Sequence, residues 1–227
     1  MTPPPDISAL IHRLTRLEPH ERHLIGLTGA PGVGKSTVSA RLVDQLGSKL
    51  VVVPMDGFHL ASSVIAGTPR DRRRGAPDTF DADGFVALLR RLRDQFEPVV
   101  YAPRFDRGID DPIAGSIAVR KEVPIVLVEG NYLLHTAPPW SDLSEILDET
   151  WYLELNDDSN RVDRLIARHV EFGKTVEESE HFVRGSDQSN ADLVAATRSR
   201  ADLVIIEHGD GTLTTARPTS PSDERQG

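Results

Sequence analysis

Eight consecutive residues constrain this chain more than any others: Gly29-Ala30-Pro31-Gly32-Val33-Gly34-Lys35-Ser36. They satisfy G-x-x-x-x-G-K-[ST] at every position, the pattern of a loop that wraps its backbone around phosphate. An apolar run ends at Thr28 and a helical pattern opens at Lys35, the strand–loop–helix setting that the motif requires. Glycine lets the backbone approach phosphate oxygens, and successive N–H groups at a helix N-terminus supply positive potential. The expected nucleotide contacts are Gly29, Ala30, Pro31, Gly32, Val33, Gly34, Lys35, Ser36 and Thr37. Lys35 is expected to reach the β- and γ-phosphates of a bound nucleotide, and the Ser36 hydroxyl to ligate Mg²⁺. A guanine-reading Asn-Lys-x-Asp is absent from the sequence. Asp81-Ala82-Asp83-Gly84 fits D-x-x-G, but it precedes a helical pattern instead of closing a strand, so a GTPase is not expected.

Five short apolar runs, at residues 24–28, 50–54, 125–129, 151–155 and 203–206, are rich in Val, Ile and Leu with little polar alternation. Strands buried on both faces of a parallel sheet read this way. Helical patterns fall between them at 35–46, 83–96, 159–172 and 189–198. The alternation, with the phosphate loop, predicts an α/β fold: a three-layer P-loop NTPase domain over residues 24–208 with a five-stranded parallel sheet. Ligands then gather at the carboxyl ends of the strands. Ahead of this domain, Ile7, Leu10, Ile11, Leu14 and Leu17 predict a helix over 6–23. Residues 209–227 are Gly, Thr, Ser, Pro and charge, the composition of a disordered tail. Residues 56–124 contain one clear helical pattern and are otherwise rich in Pro, Arg, Asp and Gly. Irregular segments of that length are functional or disordered, and this one reads as the floor of an acceptor site.

Composition removes several other chemistries. With 26 Lys+Arg against 35 Asp+Glu the formal charge is −9, which is not the positive footprint of a nucleic-acid binder. The chain has no Cys, hence no disulfide, thiolate nucleophile or Cys-based zinc site. No apolar run approaches the roughly 20 residues that cross a bilayer, and the first ten residues show no basic-then-apolar leader. Neither nucleic acid nor membrane is expected as a partner, and a reducing cytoplasm fits.

Two carboxylates stand at strand ends. Asp56 follows the second apolar run in Pro54-Met55-Asp56-Gly57-Phe58-His59. In this topology it lies beside the phosphate loop, where a carboxylate accepts the proton of an attacking hydroxyl. A positioned base is worth about 10²–10⁴ in rate; the alternative is that Asp56 only caps a turn. Glu129 closes Ile125-Val126-Leu127-Val128, the placement that holds Mg²⁺ opposite the loop serine, or else an ordinary strand-end carboxylate.

Arg161, Arg164 and Arg168 share one face of the 159–172 helical pattern. Such a face closes as a lid over ATP, with residues 157–186 as the lid region, or pairs with Asp157, Asp158 and Asp163 in solvent. Arg70, Arg72, Arg73 and Arg74 either attract an anionic acceptor or balance Asp71, Asp78 and Asp81 in a solvated loop, the commoner fate of a charge block. His59 lies beyond Asp56, in the acceptor pocket or packed beneath the sheet edge.

With residues 54–59, 74–81 (Arg-Gly-Ala-Pro-Asp-Thr-Phe-Asp), 101–107 (Tyr-Ala-Pro-Arg-Phe-Asp-Arg), 112–115 and 128–134 (Val-Glu-Gly-Asn-Tyr-Leu-Leu), the chain resembles the phosphoribulokinase/uridine kinase superfamily of P-loop kinases. The resemblance covers about residues 24–207. Within the superfamily the chain is most similar to the short bacterial nucleoside/nucleotide kinase-like group, often labelled fructose-transport or pantothenate kinase-like. The resemblance implies a doubly wound parallel sheet, ATP, Mg²⁺ and phosphorylation of a hydroxyl on a sugar, a pantothenate-like acid or a nucleoside. It supports Asp56 as base beside Lys35, with Arg164 and Arg168 acting from a helical lid and Ser36 and Glu129 at the metal. The segment at Tyr101 resembles the acceptor-binding tyrosine region of uridine kinases, which implies Tyr101, Arg104 and Arg107 as acceptor-binding residues; His59 joins them only by its proximity to Asp56. Where uridine kinase lids read R-D and then R-G-R, this chain has Arg168-His169 and Phe172-Gly173-Lys174, so Arg168 matches and His169 and Lys174 depart. The superfamily often dimerises, which leaves a homodimer open. Two rivals are an ATP-binding regulator without catalysis and an NTPase that uses water. Intact Asp56 and Glu129 argue against the first, and the long acceptor segment against the second.

Overall fold

A computed structural model describes residues 6–18 and 21–218. In chain order the helices are α1 (Ser8–Leu14), α2 (Lys35–Leu46), α3 (Ser62–Ile65), α4 (Ala82–Arg93), α5 (Leu143–Ile146), α6 (Ser159–Glu171), α7 (Val176–Phe182) and α8 (Gln188–Ala195). The strands are β1 (His23–Thr28), β2 (Leu50–Pro54), β3 (Val99–Asp106), β4 (Asp111–Arg120), β5 (Ile125–Glu129), β6 (Glu149–Leu155), β7 (Leu203–Glu207) and β8 (Leu213–Ala216).

The five apolar runs form parallel strands in the order β2-β5-β1-β6-β7. They carry no polar alternation because both faces are buried. Val126 and Val128 enter the core shared with α4 and α5, while Ile125 and Leu127 enter the core shared with α1 and α2. The chain steps away from β1 in both directions, and a ligand crevice opens where the strand order reverses. The phosphate loop begins there, at the end of β1.

The main sheet departs from the expected five parallel strands. β8 pairs antiparallel with β7, Val204 opposite Ala216 and Glu207 opposite Leu213, so the sheet is six-stranded and mixed. This places ordered structure inside the expected tail of 209–227. Leu213 is half-buried while Thr214, Thr215 and Ala216 are exposed, so this edge strand carries little apolar signal. Residues 219–227 of the expected tail lie outside the described residues.

The segment 56–124 is also more regular than expected. β3 and β4 form a separate antiparallel pair, with a register irregularity between Ala102 and Arg104 around Pro103. Val100, Ala102 and Val119 point into the core, but the rest of the pair is half-buried or exposed. A hairpin buried so thinly reads as a loop.

Helix boundaries shift for local reasons. The expected 6–23 helix is only α1, which ends at Leu14; the Thr15 hydroxyl at its C-terminal cap donates back to His12 O at 3.1 Å. The pattern at 83–96 starts one residue earlier, where the Asp81 carboxylate accepts from the Gly84 N–H at 2.9 Å, and ends at Arg93. The pattern at 189–198 becomes α8, entered from α7 through a π-helical turn at Val183–Asp187. Among the described residues no helix is long and apolar enough to cross a membrane.

Candidate active site

The phosphate loop is shaped by what packs behind it. Gly32 has φ +86°, and a Cβ there would meet Leu165 Cγ at 2.8 Å. Only glycine therefore lets the loop turn with α6 lying directly on it. The loop lines a cavity of about 630 Å³ together with Asp56, Arg107, Glu129, Asn131 and Arg168. Gly29 and Ala30 stand behind this lining and meet the lysine through their carbonyls.

Lys35 is buried, and its ammonium donates to Gly29 O at 2.8 Å, Ala30 O at 3.1 Å and Asn131 Oδ1 at 2.7 Å. An ammonium has three protons, and all three are engaged. Burial pulls its pKa down to about 8, against the charges of Glu129 and Asp56, which favour the ammonium. Asn131 is itself fixed, because Thr28 Oγ1 donates to its backbone carbonyl at 2.9 Å.

Ser36 opens α2 and donates from Oγ to Glu129 Oε1 at 2.8 Å. Burial raises the pKa of Glu129, opposed chiefly by Lys35. Asp56 sits in the 3₁₀ turn Met55–Phe58 after β2, and its Oδ2 lies 3.6 Å from Arg107 Nη2. The turn is closed by backbone, since Asp56 O accepts from His59 N at 3.2 Å. A Cβ on Gly57 would lie 2.4 Å from Pro103 O, so β3 crosses this turn in close contact.

The three lid arginines do three different things. Arg161 is 2% exposed and donates to Asp158 at 2.7 Å, Gln188 at 2.7 Å and Pro31 O at 3.4 Å, tying α6 to the phosphate loop and α8. Arg164 is exposed and meets Glu207 at 3.4 Å, at the end of β7. Arg168 is half-buried and faces the cavity; desolvation first, then the charge of Arg107, lowers its pKa.

No family model matches the chain. Protein C227.14 of Schizosaccharomyces pombe, assigned by inference as a uridine kinase, is 38% identical over 216 residues, covering 88% of this chain and 92% of that protein. The crystal structure of a Silicibacter sp. TM1040 protein, assigned by inference as a fructose transport system kinase, is 40% identical with a TM-score of 0.77. That match covers 88% of this chain and 98% of the other. The chain belongs to the phosphoribulokinase/uridine kinase superfamily of P-loop kinases. It is an ATP-dependent phosphotransferase with a small-molecule hydroxyl as acceptor. Phosphoribulokinase from Rhodobacter spheroides, at 12% identity and a TM-score of 0.57, shares the fold.

In this kinase the cavity gathers Lys35, Ser36, Asp56, Glu129, Arg164, Arg168 and Arg107, which the sequence singles out, and leaves out three of the expected acceptor residues. Tyr101 is 61% exposed on the outer face of β3, and Arg104 is exposed as well. The irregularity at Pro103 breaks the alternation that would have carried a side chain from this stretch inward. His59 takes the packed alternative. Its ring lies 4.1 Å from that of Phe80 and 4.8 Å from that of Phe105, and its Nδ1 bonds Asp56 O at 2.8 Å. The arginine cluster divides. Arg70 and Arg73 pair with Asp78 in solvent, whereas Arg74 bonds Ser62, Asp110 and Asp111 and fastens the β3–β4 turn. Asn131, Arg41, Glu207 and Gly211 also line the cavity without having been expected. Asn131 was within reach of sequence reasoning, two residues beyond the strand-end Glu129. Gly211 reaches the cavity only because β8 folds back on β7.

The donors beside the loop suit Mg²⁺. Ser36 and Glu129 offer a hydroxyl and a carboxylate, hard oxygen ligands. Among the described residues no three His, Cys, Asp or Glu side chains form a cage.

Proposed function

We propose that this kinase moves the γ-phosphoryl group of ATP to a hydroxyl of a small metabolite, such as a sugar, a pantothenate-like acid or a nucleoside, with Asp56 as general base. The observation that carries the assignment is that Asp56 and the phosphate loop line one cavity. The N–H groups of the loop and the N-terminus of α2 hold the triphosphate. Lys35 exchanges an acceptor within the loop for a phosphate oxygen. Asp56 orients the acceptor hydroxyl and takes its proton as the hydroxyl oxygen bonds Pγ and the Pγ–O bond to ADP breaks. Arg168 spreads the charge that develops on the transferring group. Arg164, held at Glu207, closes the other end of the cavity. Ser36 and Glu129 would hold Mg²⁺, which when bound neutralises charge on the β- and γ-phosphates.

The test is ADP release with Mg·ATP, with and without each of a panel of hydroxyl acceptors, in the wild type and in Asp56→Asn. An acceptor-dependent rate that falls by about 10²–10⁴ in the variant, with nucleotide binding retained, is the expected result. Equal turnover in Asp56→Asn removes the base assignment.

A further inference from the structure

The acceptor is what superfamily membership leaves open, and one contact bears on it. Arg107 follows the end of β3 and is the single residue that the β3–β4 hairpin contributes to the cavity among the described residues. Its Nη2 lies 3.6 Å from Asp56 Oδ2, close enough for an ion pair but longer than a hydrogen bond. The guanidinium lies 6.0 Å from the ring centre of Phe105 in the hairpin and 5.9 Å from that of Phe172 at the end of α6. Arg168 is near enough for the two guanidiniums to repel.

This arrangement suits neither a spectator arginine nor a neutral acceptor. The guanidinium stands beside Asp56 Oδ2 in the same cavity, in space that an acceptor hydroxyl needs to reach that oxygen, so Arg107 has to move aside when transfer occurs. Both side chains are 40% exposed, so the pair is weak and a competing anion in the cavity is enough to part it. The triphosphate is met by the loop N–H groups, Lys35 and Arg168, on elements other than the hairpin. We propose that the acceptor itself is an anion: a hydroxy compound whose carboxylate or phosphate binds Arg107, draws it off Asp56 and so frees the base. The proposal rests on Asp56 acting as that base. A guanidinium binds either oxyanion through two parallel N–H donors. Phe105 on the hairpin and Phe172 at the end of α6 both lie at the outer limit of cation–π distance from this arginine, so acceptor binding and lid position act on one side chain. The balance of the step is unchanged: the hydroxyl oxygen bonds Pγ, ADP leaves, and the proton goes to Asp56.

Matched pairs test this: gluconate against glucose, pantothenate against pantothenyl alcohol, glycerate against glycerol, and fructose 1-phosphate against fructose. Each is assayed for acceptor-dependent ADP release and for thermal stabilisation of the full-length protein. The charged member of at least one pair should be preferred by 10-fold or more in kcat/KM. The acid and the phosphate arms separate the two oxyanion sources. Arg107→Gln should raise the KM for the charged acceptor about 10- to 100-fold, the value of a lost charge-assisted contact. It should leave ATP binding in place, with Arg107→Lys intermediate. Equal use of neutral partners, or a preference that survives Arg107→Gln, overturns the proposal. So does a panel in which no anion either reacts or stabilises while ATP still binds. Failure of the base assignment reads differently, as full turnover in Asp56→Asn.

Discussion

Two side chains near the reacting centre act through fixed geometry. Asn131 gives Lys35 its one side-chain acceptor, at 2.7 Å, and Thr28 clamps the asparagine from behind. Asn131→Ala should therefore weaken ATP binding about 10-fold, the worth of one hydrogen bond to a charged group, as read by fluorescent-nucleotide titration. Asn131→Asp should instead hold the ammonium more firmly in the loop and slow turnover. Burial favours the neutral form of His59 in its packed site. Burial lowers its pKa from the ordinary value of 6.5, with Asp56 opposing and Arg74 and Arg107 adding to the shift. Between 6.5 and that lower value the unfolded chain binds the proton that the folded chain refuses. The contribution of His59 to stability is thus complete above pH 6.5 and is lost as the pH falls below it. Urea midpoints should drop between pH 7.5 and 5.5, and His59→Leu should flatten that drop.

At the scale of elements, the hairpin and the lid are held by contacts with almost no slack. Gly57 lets β3 cross the Asp56 turn, because any Cβ would stand 2.4 Å from Pro103 O. Gly57→Ala must push the hairpin outward. The expected cost is about 1–3 kcal/mol of stability, as for an overpacked core, seen in urea melts. A larger rise in acceptor KM than in ATP KM should accompany it, since only Arg107 rides on the hairpin. The lid is anchored differently. Arg161 reaches Asp158, Gln188 and Pro31 O, so the same helix face that looks like one arginine stripe divides into an anchor, an end stop at Glu207 and a cavity residue. Spacing alone gives the shared face of Arg161, Arg164 and Arg168. What stands opposite each of them depends on α8, β7 and the hairpin.

Across the whole molecule, the phosphate loop is the joint between the sheet and the lid, so nucleotide binding should stabilise the entire fold. At ATP one hundred times its dissociation constant the gain is about 2.7 kcal/mol. For a domain of this size that corresponds to a rise in Tm of about 5–10 °C. Differential scanning fluorimetry should show it in the wild type and not in Lys35→Ala. The sequence by itself determined the parallel core of the sheet, the loop, and the strand-end positions of Asp56 and Glu129, because each of these is encoded locally: aliphatic runs, glycine spacing, and a polar residue closing an apolar strand. Only the tertiary structure decided that residues 99–120 form a hairpin, that β8 closes the edge of the sheet, and that Arg107 reaches Asp56 while Tyr101 and Arg104 face away. The physical reason is burial. Val100, Ala102 and Val119 are the buried side chains of these strands, with Ile117 and Leu213 half-buried against the core, too few to stamp a period on the sequence. The direction of an arginine at a strand end is set by the elements packed around it, not by its neighbours in the chain.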